Sequence, residues 1–201
     1  MKIIIHSIAF LTLFLSACNS EKETSNVANS EEKEIATATA DEEQLEQLVR
    51  KVYEWDETNS TLLDFMPIAD AEEIAYVGLD MDLHNQRVTE LKQTSFFTAS
   101  FLENYQQLAL AIDEGLKTKK LEWLVGELPS FGSNANPWCN CQDYPDDYWK
   151  TMTIKVMSLE NNTATFTWTW GEDFEYQVKA IKENDQWKIS YLQGFDLETY
   201  F

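Results

Sequence analysis

Two cysteines lie one residue apart in the segment NPWCNCQDYPDDYW, residues 136–149. Cys139 and Cys141 can form a local disulfide, stay free or pair between chains, hold a metal ion, or act as a redox dithiol. A thioredoxin-type dithiol needs a following helix to lower the thiol pKa, and no helical pattern follows here. A soft metal site needs two more Cys or His ligands, and His84 is the one histidine beyond residue 17. We therefore predict a local disulfide across Asn140, a residue type that tolerates turn conformations.

Aspartates follow the cysteine pair and offer hard oxygen ligands. Asp143, Asp146 and Asp147 are of the type that Ca²⁺ prefers, but their spacing does not fit an EF-hand loop. Residues 80–84, DMDLH, also begin like a calcium loop, yet they lack its central glycine and its closing glutamate. We predict turn-forming and helix-capping roles for these side chains, with calcium binding as the alternative, and we expect no cofactor.

Seven tryptophans are many for a chain of 201 residues. Phe166, Trp168 and Trp170 alternate with threonines, so they share one face of a predicted strand. That face either packs into the core or lines an apolar ligand cavity, and we take these three residues as the candidate pocket. The sequence holds no G-x-S-x-G motif, and we predict no catalytic residue.

Helices are predicted in the first half of the chain. Apolar residues at helical spacing predict a first helix over residues 41–57 and a long one over residues 98–117. Ser100 and Glu103 fit a capping box at the start of the long helix. A short helix is also predicted over residues 88–93.

Strands are predicted in the last quarter of the chain, where apolar and polar residues alternate with period two. Short turns are predicted at residues 161–162, 171–173 and 183–185, between four strands. Successive strands joined by short turns form an antiparallel meander. The sequence therefore predicts an α+β fold in which N-terminal helices pack on a curved four-stranded antiparallel sheet.

The first residues read as an export signal. Lys2 precedes an apolar run over residues 8–15 and then small residues, which is typical of a signal peptide and too short for a spanning helix. The stretch Leu15-Ser16-Ala17-Cys18 resembles the bacterial lipobox, which implies that residues 1–17 are removed and that Cys18 carries lipid. An exported chain meets an oxidising compartment, which favours the disulfide.

A polar segment separates the signal from the folded domain. Residues 18–40 lack aromatic residues and predict a flexible tether, which leaves residues 41–201 as a single α+β domain. Glu21 and Glu23, just after the lipidated cysteine, are similar to the surface-export signals of Bacteroidetes lipoproteins. An ordinary acidic tether is the alternative.

The chain is strongly acidic, with 35 acidic against 15 basic residues and a formal net charge of −20. Such a protein is repelled by nucleic acid and by anionic lipid head groups. We therefore expect no nucleic acid among its partners, which leaves proteins, cations and small molecules.

Three segments resemble those of a known group of proteins: SFFTASFLENYQQL (residues 95–108), CQDYPDDYW (141–149) and QWKISYL (186–192). The chain is similar over residues 41–196 to bacterial lipoproteins of unknown function with the nuclear-transport-factor-like, or cystatin-like, cone fold. That fold carries enzymes, binding modules and scaffolds, so the function must be argued from the site. The catalytic Asp/His pair usual in that fold has no match in this sequence.

We expect a non-catalytic binding or interaction module of the bacterial cell envelope. The resemblance implies a lipid anchor in the outer membrane, on its periplasmic or its outer face. The expected partners are the membrane, through the anchor, and an envelope protein or a small apolar ligand. A small-molecule enzyme that uses the cone pocket is one alternative, and an immunity or inhibitor protein is another.

Replacement of Cys18 by serine tests the lipid anchor. The Cys18→Ser protein should lose the mass of its acyl chains and leave the membrane fraction, because acyl chains contribute about 0.8 kcal/mol per buried methylene to membrane binding. Intact mass and cell fractionation measure the two effects. Cys141→Ser is the matched control and should stay in the membrane fraction. An unchanged mass and an unchanged membrane fraction for Cys18→Ser would contradict lipidation.

Overall fold

The computed structural model describes residues 21–59, 62–127, 135–171 and 174–200. The chain divides into two units, Met1–Thr37 and Ala38–Phe201. The predicted signal peptide and the lipidated Cys18 lie outside the described residues, and the predicted domain boundary at residue 40 stays a prediction. Within the described ranges, no helix combines the length and the apolar character that crossing a membrane requires.

Helix α1 spans Glu21–Asn59 and so begins well before the predicted start at residue 41. The flexible tether that we predicted over residues 18–40 therefore overlaps the first part of this helix. Residues 21–40 contain many Glu, Lys and Ala residues, which have high helix propensity. In the second unit, the apolar stripe of α1 is buried as its spacing predicted at Leu45, Leu48, Val49 and Val52, and Tyr53 is buried beside it.

A small hairpin and a second helix follow α1. Strand β1 (Pro67–Ala69) pairs antiparallel with β2 (Tyr76–Leu79), and helix α2 covers Met81–Thr94. The carboxylate of Asp80 accepts hydrogen bonds from two N–H groups in the first turn of α2 and caps it. Because this cap starts the helix earlier, α2 is longer than the predicted helix over residues 88–93.

Helix α3 spans Ala99–Lys117, close to the prediction. The predicted capping box was wrong, because the hydroxyl that caps the helix belongs to Thr98, whose Oγ1 accepts from the N–H of Phe101 at 3.2 Å. Ser100 lies inside the first turn, and its hydroxyl contacts Oγ1 of Thr98 at 2.9 Å. The buried face of α3 is broad and includes Phe101, Tyr105, Leu108, Ala109, Ile112 and Leu116.

The second half of the chain forms a four-stranded antiparallel sheet in which each strand pairs with the next along the chain. Its strands are β3 (Thr153–Glu160), β4 (Thr163–Thr169), β5 (Tyr176–Glu183) and β6 (Gln186–Leu192). A four-residue helix, α4 (Tyr148–Thr151), precedes the sheet, and α5 (Leu197–Tyr200) follows it. The predicted α+β class is therefore confirmed.

Two tight turns set the register of this sheet. Asn161 and Asn162 have φ angles of 50° and 63°, and Asn184 and Asp185 have φ angles of 51° and 61°. Two consecutive residues with positive φ make the hairpin turn whose twist suits antiparallel strands, and Asn and Asp tolerate this conformation. The predicted turns at these positions are confirmed, whereas the turn at residues 171–173 lies partly outside the described residues.

The side chain of Tyr53 joins α1, the sheet and the cysteine segment. The indole N–H of Trp168 donates to the Tyr53 hydroxyl at 3.0 Å, and that hydroxyl donates to the carbonyl oxygen of Trp138 at 2.9 Å. All three side chains are almost fully buried. Since a buried hydroxyl or indole needs a hydrogen-bond partner, this chain of bonds fixes the cysteine segment against the sheet.

The cysteine segment also packs against the turn after β6. The N–H of Gly194 donates to the hydroxyl of Tyr176 at 2.8 Å, and this hydroxyl donates to the carbonyl oxygen of Pro137 at 2.7 Å. A Cβ atom on Gly194 would lie 1.8 Å from that carbonyl oxygen. The close approach of the two backbones therefore requires glycine at position 194.

Substitution of Gly194 tests this contact. Gly194→Ala should lower the free energy of unfolding by about 1–3 kcal/mol or more. This is the usual cost of overpacking, and here backbone rather than a flexible side chain must move. Gly171→Ala is the matched control, since a Cβ atom there meets no atom of the described residues within 4 Å. Urea denaturation of both variants measures the difference. Equal stability of the two variants would contradict the close packing.

Candidate functional site

The cysteine segment forms a closed loop. Cys139 and Cys141 are bonded, so the predicted disulfide is confirmed, and Asn140 between them has a φ of 54° as its residue type suggested. The backbone of Asn136 closes the loop, because its N–H donates to the Cys141 carbonyl at 2.9 Å and its carbonyl accepts from the N–H of Asn140 at 2.7 Å. These covalent and hydrogen bonds tie the two ends of the loop together.

The loop carries Trp138, whose exposed fraction is 2%. Its indole N–H donates to Oδ2 of Asp64 at 2.6 Å. Its ring meets that of Phe195 edge-on, with centroids 5.2 Å apart. Trp138 therefore connects the disulfide loop to a polar cluster between the helices, and it forms one wall of a cavity above that cluster.

This open cavity has a volume of about 600 Å³, within the range of about 300–1,000 Å³ that is usual for small-molecule sites. Its apolar walls come from Leu62, Leu63, Met66, Pro67 and Pro137. Its aromatic walls are Tyr76, Trp123, Trp138 and Tyr144. Its polar and charged lining consists of Asp56, Glu57, Asp64, Arg87 and Asn136.

The guanidinium of Arg87 lies at the base of the cavity and is 1% exposed. Nε contacts Oδ1 of Asp64 at 3.1 Å, Nη2 contacts Oδ1 of Asp56 at 2.6 Å, and Nη1 lies 3.5 Å from Oε2 of Glu90. The cation also lies over the ring of Trp55, 4.9 Å from its centroid. Three carboxylates thus share one buried cation, and we call these four charged residues the Arg87 cluster.

Asp64 serves chiefly as a structural acceptor. It receives hydrogen bonds from Nε of Arg87, from the hydroxyl of Tyr105 and from the indole of Trp138. Burial and the nearby Asp64 carboxylate raise the pKa of Tyr105, so its hydroxyl remains protonated and able to donate. The three donors hold this carboxylate in place.

Asp56 has a different environment. Burial and then repulsion from Asp64 raise its pKa to about 7, although the guanidinium of Arg87 acts in the opposite direction. One cation shared by several carboxylates does not offset the loss of hydration at this site. The Asp56 carboxyl therefore exchanges a proton near neutral pH while lining the cavity.

Negative charge collects where α1 ends. Asp56 and Glu57 belong to the last turn of this helix, which contains no basic residue. The C-terminal end of a helix carries partial negative charge, so carboxylates there raise the negative potential instead of balancing it. Burial and then Glu57, which accepts a hydrogen bond from the hydroxyl of Tyr144, raise the pKa of Tyr144.

The three residues of the predicted pocket lie elsewhere. Phe166 and Trp168 have no exposed surface and are packed in the core, and neither lines the cavity. The ring of Trp170 stacks on Phe174 with centroids 3.9 Å apart, beside a separate depression. The structure thus places the open cavity at the disulfide loop rather than on the inner face of β4, because large aromatic rings fill that face.

The acidic residues after the cysteines do not come together. Asp143 and Asp146 are exposed, and Asp147 forms an ion pair with Lys150 at 2.6 Å. Among the residues that the structure describes, no three His, Cys, Asp or Glu side chains form a group able to hold a metal ion. In the second predicted cluster, Asp80 caps α2.

The ring of His84 is buried and makes structural contacts. Its Nε2 lies 3.1 Å from Oε1 of Gln106, and the ring stacks on Tyr105 with centroids 5.1 Å apart. Burial lowers the pKa of His84, so the ring is neutral at pH 7 and suits this apolar position.

Sequence reasoning did not find the Arg87 cluster. One signal was present, because His84, Arg87 and Leu91 follow the i, i+3, i+7 spacing of a buried helix face and are all buried in α2. A cation at such a position requires a carboxylate partner when the face is buried. The partners Asp56 and Asp64 lie in α1 and in the segment before β1, where no local pattern identifies them.

Comparison with protein-family models, curated proteins and solved structures gives no match for this chain. The function of the protein must therefore be inferred from the cavity and the charges that line it.

The pH dependence of stability tests the raised pKa of Asp56. Between about pH 4 and pH 7 the folded protein holds a proton on Asp56 that the unfolded chain has released, so the contribution of Asp56 to stability falls as the pH rises through this window. Asp56→Asn removes the titration. From about pH 4 to pH 7, the free energy of unfolding of the variant should therefore rise relative to that of the wild type by up to about 4 kcal/mol, since each pKa unit corresponds to about 1.4 kcal/mol. Urea denaturation at several pH values measures this, and parallel curves would contradict the assignment.

Proposed function

We propose that this protein is a non-catalytic binding module of the bacterial cell envelope, held at the membrane by lipid on Cys18. We place its ligand site in the cavity beside the disulfide loop. The observation that carries the proposal is this open cavity of about 600 Å³, which combines apolar and aromatic walls with carboxylates. Such a mixture is typical of sites that hold a small molecule in one orientation.

The rigidity of the cavity supports a binding role. The disulfide loop, the Asp64 hydrogen bonds and the buried Arg87 fix three of its sides before any ligand arrives. A preformed site loses little conformational entropy when it binds, and this raises affinity. Because Asp64 and Arg87 are bonded to other protein groups, they shape the cavity as structural residues.

Apolar side chains at the rim also favour a ligand. Leu63 is 72% exposed and Met66 is 39% exposed, and both line the cavity. Exposed apolar surface beside a concave site is typical of a surface that binds an apolar group of a ligand. The proposed ligand therefore has an apolar part that reaches this rim.

The envelope location is supported by the sequence Leu15-Ser16-Ala17-Cys18 and by the disulfide, which suits an oxidising compartment. The proposal includes the outer membrane as the site of the anchor. It also includes kinship with the nuclear-transport-factor-like lipoproteins, for which the helices and the antiparallel sheet provide support at the level of fold class.

An acid–base enzyme is a second candidate, because Asp56 lines the cavity and its pKa is raised to about 7. A carboxyl that titrates near neutral pH is suited to transfer protons. In this candidate Asp56 takes up and returns a proton of the bound molecule.

Indole resonances in ¹H–¹⁵N NMR spectra test ligand binding at this place. A survey of small compounds of positive, neutral and negative charge should yield binders that shift the indole N–H signals of Trp123 and Trp138, which line the cavity. The signals of Trp168 in the core and Trp187 in β6 serve as internal controls and should stay in place.

Two other outcomes of the NMR survey would count against the binding module. A survey in which no compound shifts the cavity indoles, or in which compounds shift the control indoles equally, would contradict a ligand site in this cavity. Chemical conversion of a bound compound, seen as new product signals that disappear with Asp56→Asn, would replace the binding module by the enzyme.

A further inference from the structure

We infer that the ligand of the cavity is an organic cation, with a protonated amine, guanidinium or quaternary ammonium group joined to an apolar or aromatic body. The inference rests on the proposed function, because it names the chemical class that the same cavity selects. Three observations support it: the lining carries excess negative charge, Arg87 is already paired with carboxylates, and several walls of the cavity are aromatic.

The charged lining of the cavity is unbalanced. Asp56, Glu57 and Asp64 contribute carboxyl groups, and Arg87 contributes the single cation among the described lining residues. Glu90 lies against Arg87 from below and adds a further acidic group. A cationic group in the cavity would therefore reduce repulsion that the folded protein already contains.

Arg87 is not available to bind an anion. It is 1% exposed, and its nitrogen atoms face the carboxylates of Asp56, Asp64 and Glu90. An anionic ligand would have to displace one of these partners and would itself meet the remaining carboxylates. Breaking a buried ion pair in this way leaves an uncompensated charge, which is strongly unfavourable.

The end of α1 adds to the negative potential. Its backbone dipole places partial negative charge at the C-terminus, where Asp56 and Glu57 lie and where the last turn has no basic residue. Natural helices usually place cations at this end. A bound cation would supply the charge that the helix itself lacks.

The aromatic walls suit the same class of ligand. The rings of Tyr76 and Trp123 meet at a centroid distance of 4.5 Å and form one corner of the cavity, while Tyr144 is 37% exposed on its lining. Faces of Trp and Tyr attract cations within about 6 Å, and Arg87 already uses Trp55 in this way. Carboxylates beside aromatic rings thus offer both charge and a surface for an apolar body.

Three probes of similar size and different charge test the inference by isothermal titration calorimetry. They are 2-phenylethylamine, 2-phenylethanol and 3-phenylpropionate, measured at pH 8, where Asp56 is mostly ionised. The amine should bind at least about fivefold more tightly than the alcohol, and the carboxylate more weakly than both. The affinity of the amine should fall between about 20 mM and about 500 mM NaCl because salt screens the attraction.

Two matched variants test whether the amine binds in the cavity. Glu57→Gln should weaken binding of the amine about threefold or more, because Glu57 lines the cavity. Glu54→Gln removes the same charge from the same end of α1, but Glu54 is exposed and does not line the cavity. It should change the affinity less than twofold, a difference set by distance and screening.

Failure of the inference differs from failure of the proposed function. Binding of the alcohol or the carboxylate as tightly as the amine would overturn the cationic class and leave a ligand site in place. Equal effects of Glu57→Gln and Glu54→Gln would also overturn it. If none of the probes binds and the cavity ligands that the NMR survey finds are neutral or anionic, the class is wrong; if the survey finds no cavity ligand, the proposed function itself fails.

Discussion

The pairing of the buried Arg87 cation determines how the helices meet. A guanidinium that is 1% exposed requires carboxylate partners, and these come from the end of α1, from the segment before β1 and from the next turn of α2. The inner face of α2 can therefore be buried only where these elements come together. The cavity lies directly over this pairing, so the interaction that orders the helices also gives the cavity its base and its charge.

The disulfide loop completes the cavity from the opposite side. Trp138 connects the loop to Asp64 through its indole, and its carbonyl connects the loop to the core through Tyr53. The absence of a side chain at Gly194 lets the turn after β6 approach the loop backbone. Sheet, helices and loop therefore support the same wall, which makes the cavity a property of the whole domain rather than of one flexible segment.

The sheet was predictable from the sequence, because alternation with period two is a local signal and the turn residues Asn161 and Asn184 specify their own conformation. The disulfide was equally local, with two cysteines around Asn140. The cavity was not predictable, since Asp56 and Asp64, Arg87, and Trp138 come from three separate parts of the chain and none belongs to a recognisable motif. The candidate pocket included Trp168 and Trp170 because tryptophans are numerous in this chain, but the large ring of Trp168 is fully buried and fills the core. The start of α1 was missed because helix propensity over residues 21–40 does not depend on an apolar stripe.

The bond between Cys139 and Cys141 makes the cavity wall sensitive to whether the compartment is oxidising or reducing. It covalently closes the turn that directly follows Trp138, and a reducing compartment keeps the two cysteines as thiols. In a reducing compartment this wall would be held by hydrogen bonds and by the packing of the Trp138 ring, and oxidation would add the covalent bond. Protein for binding studies should accordingly be produced by secretion or refolded under oxidising conditions, so that the bond between Cys139 and Cys141 forms.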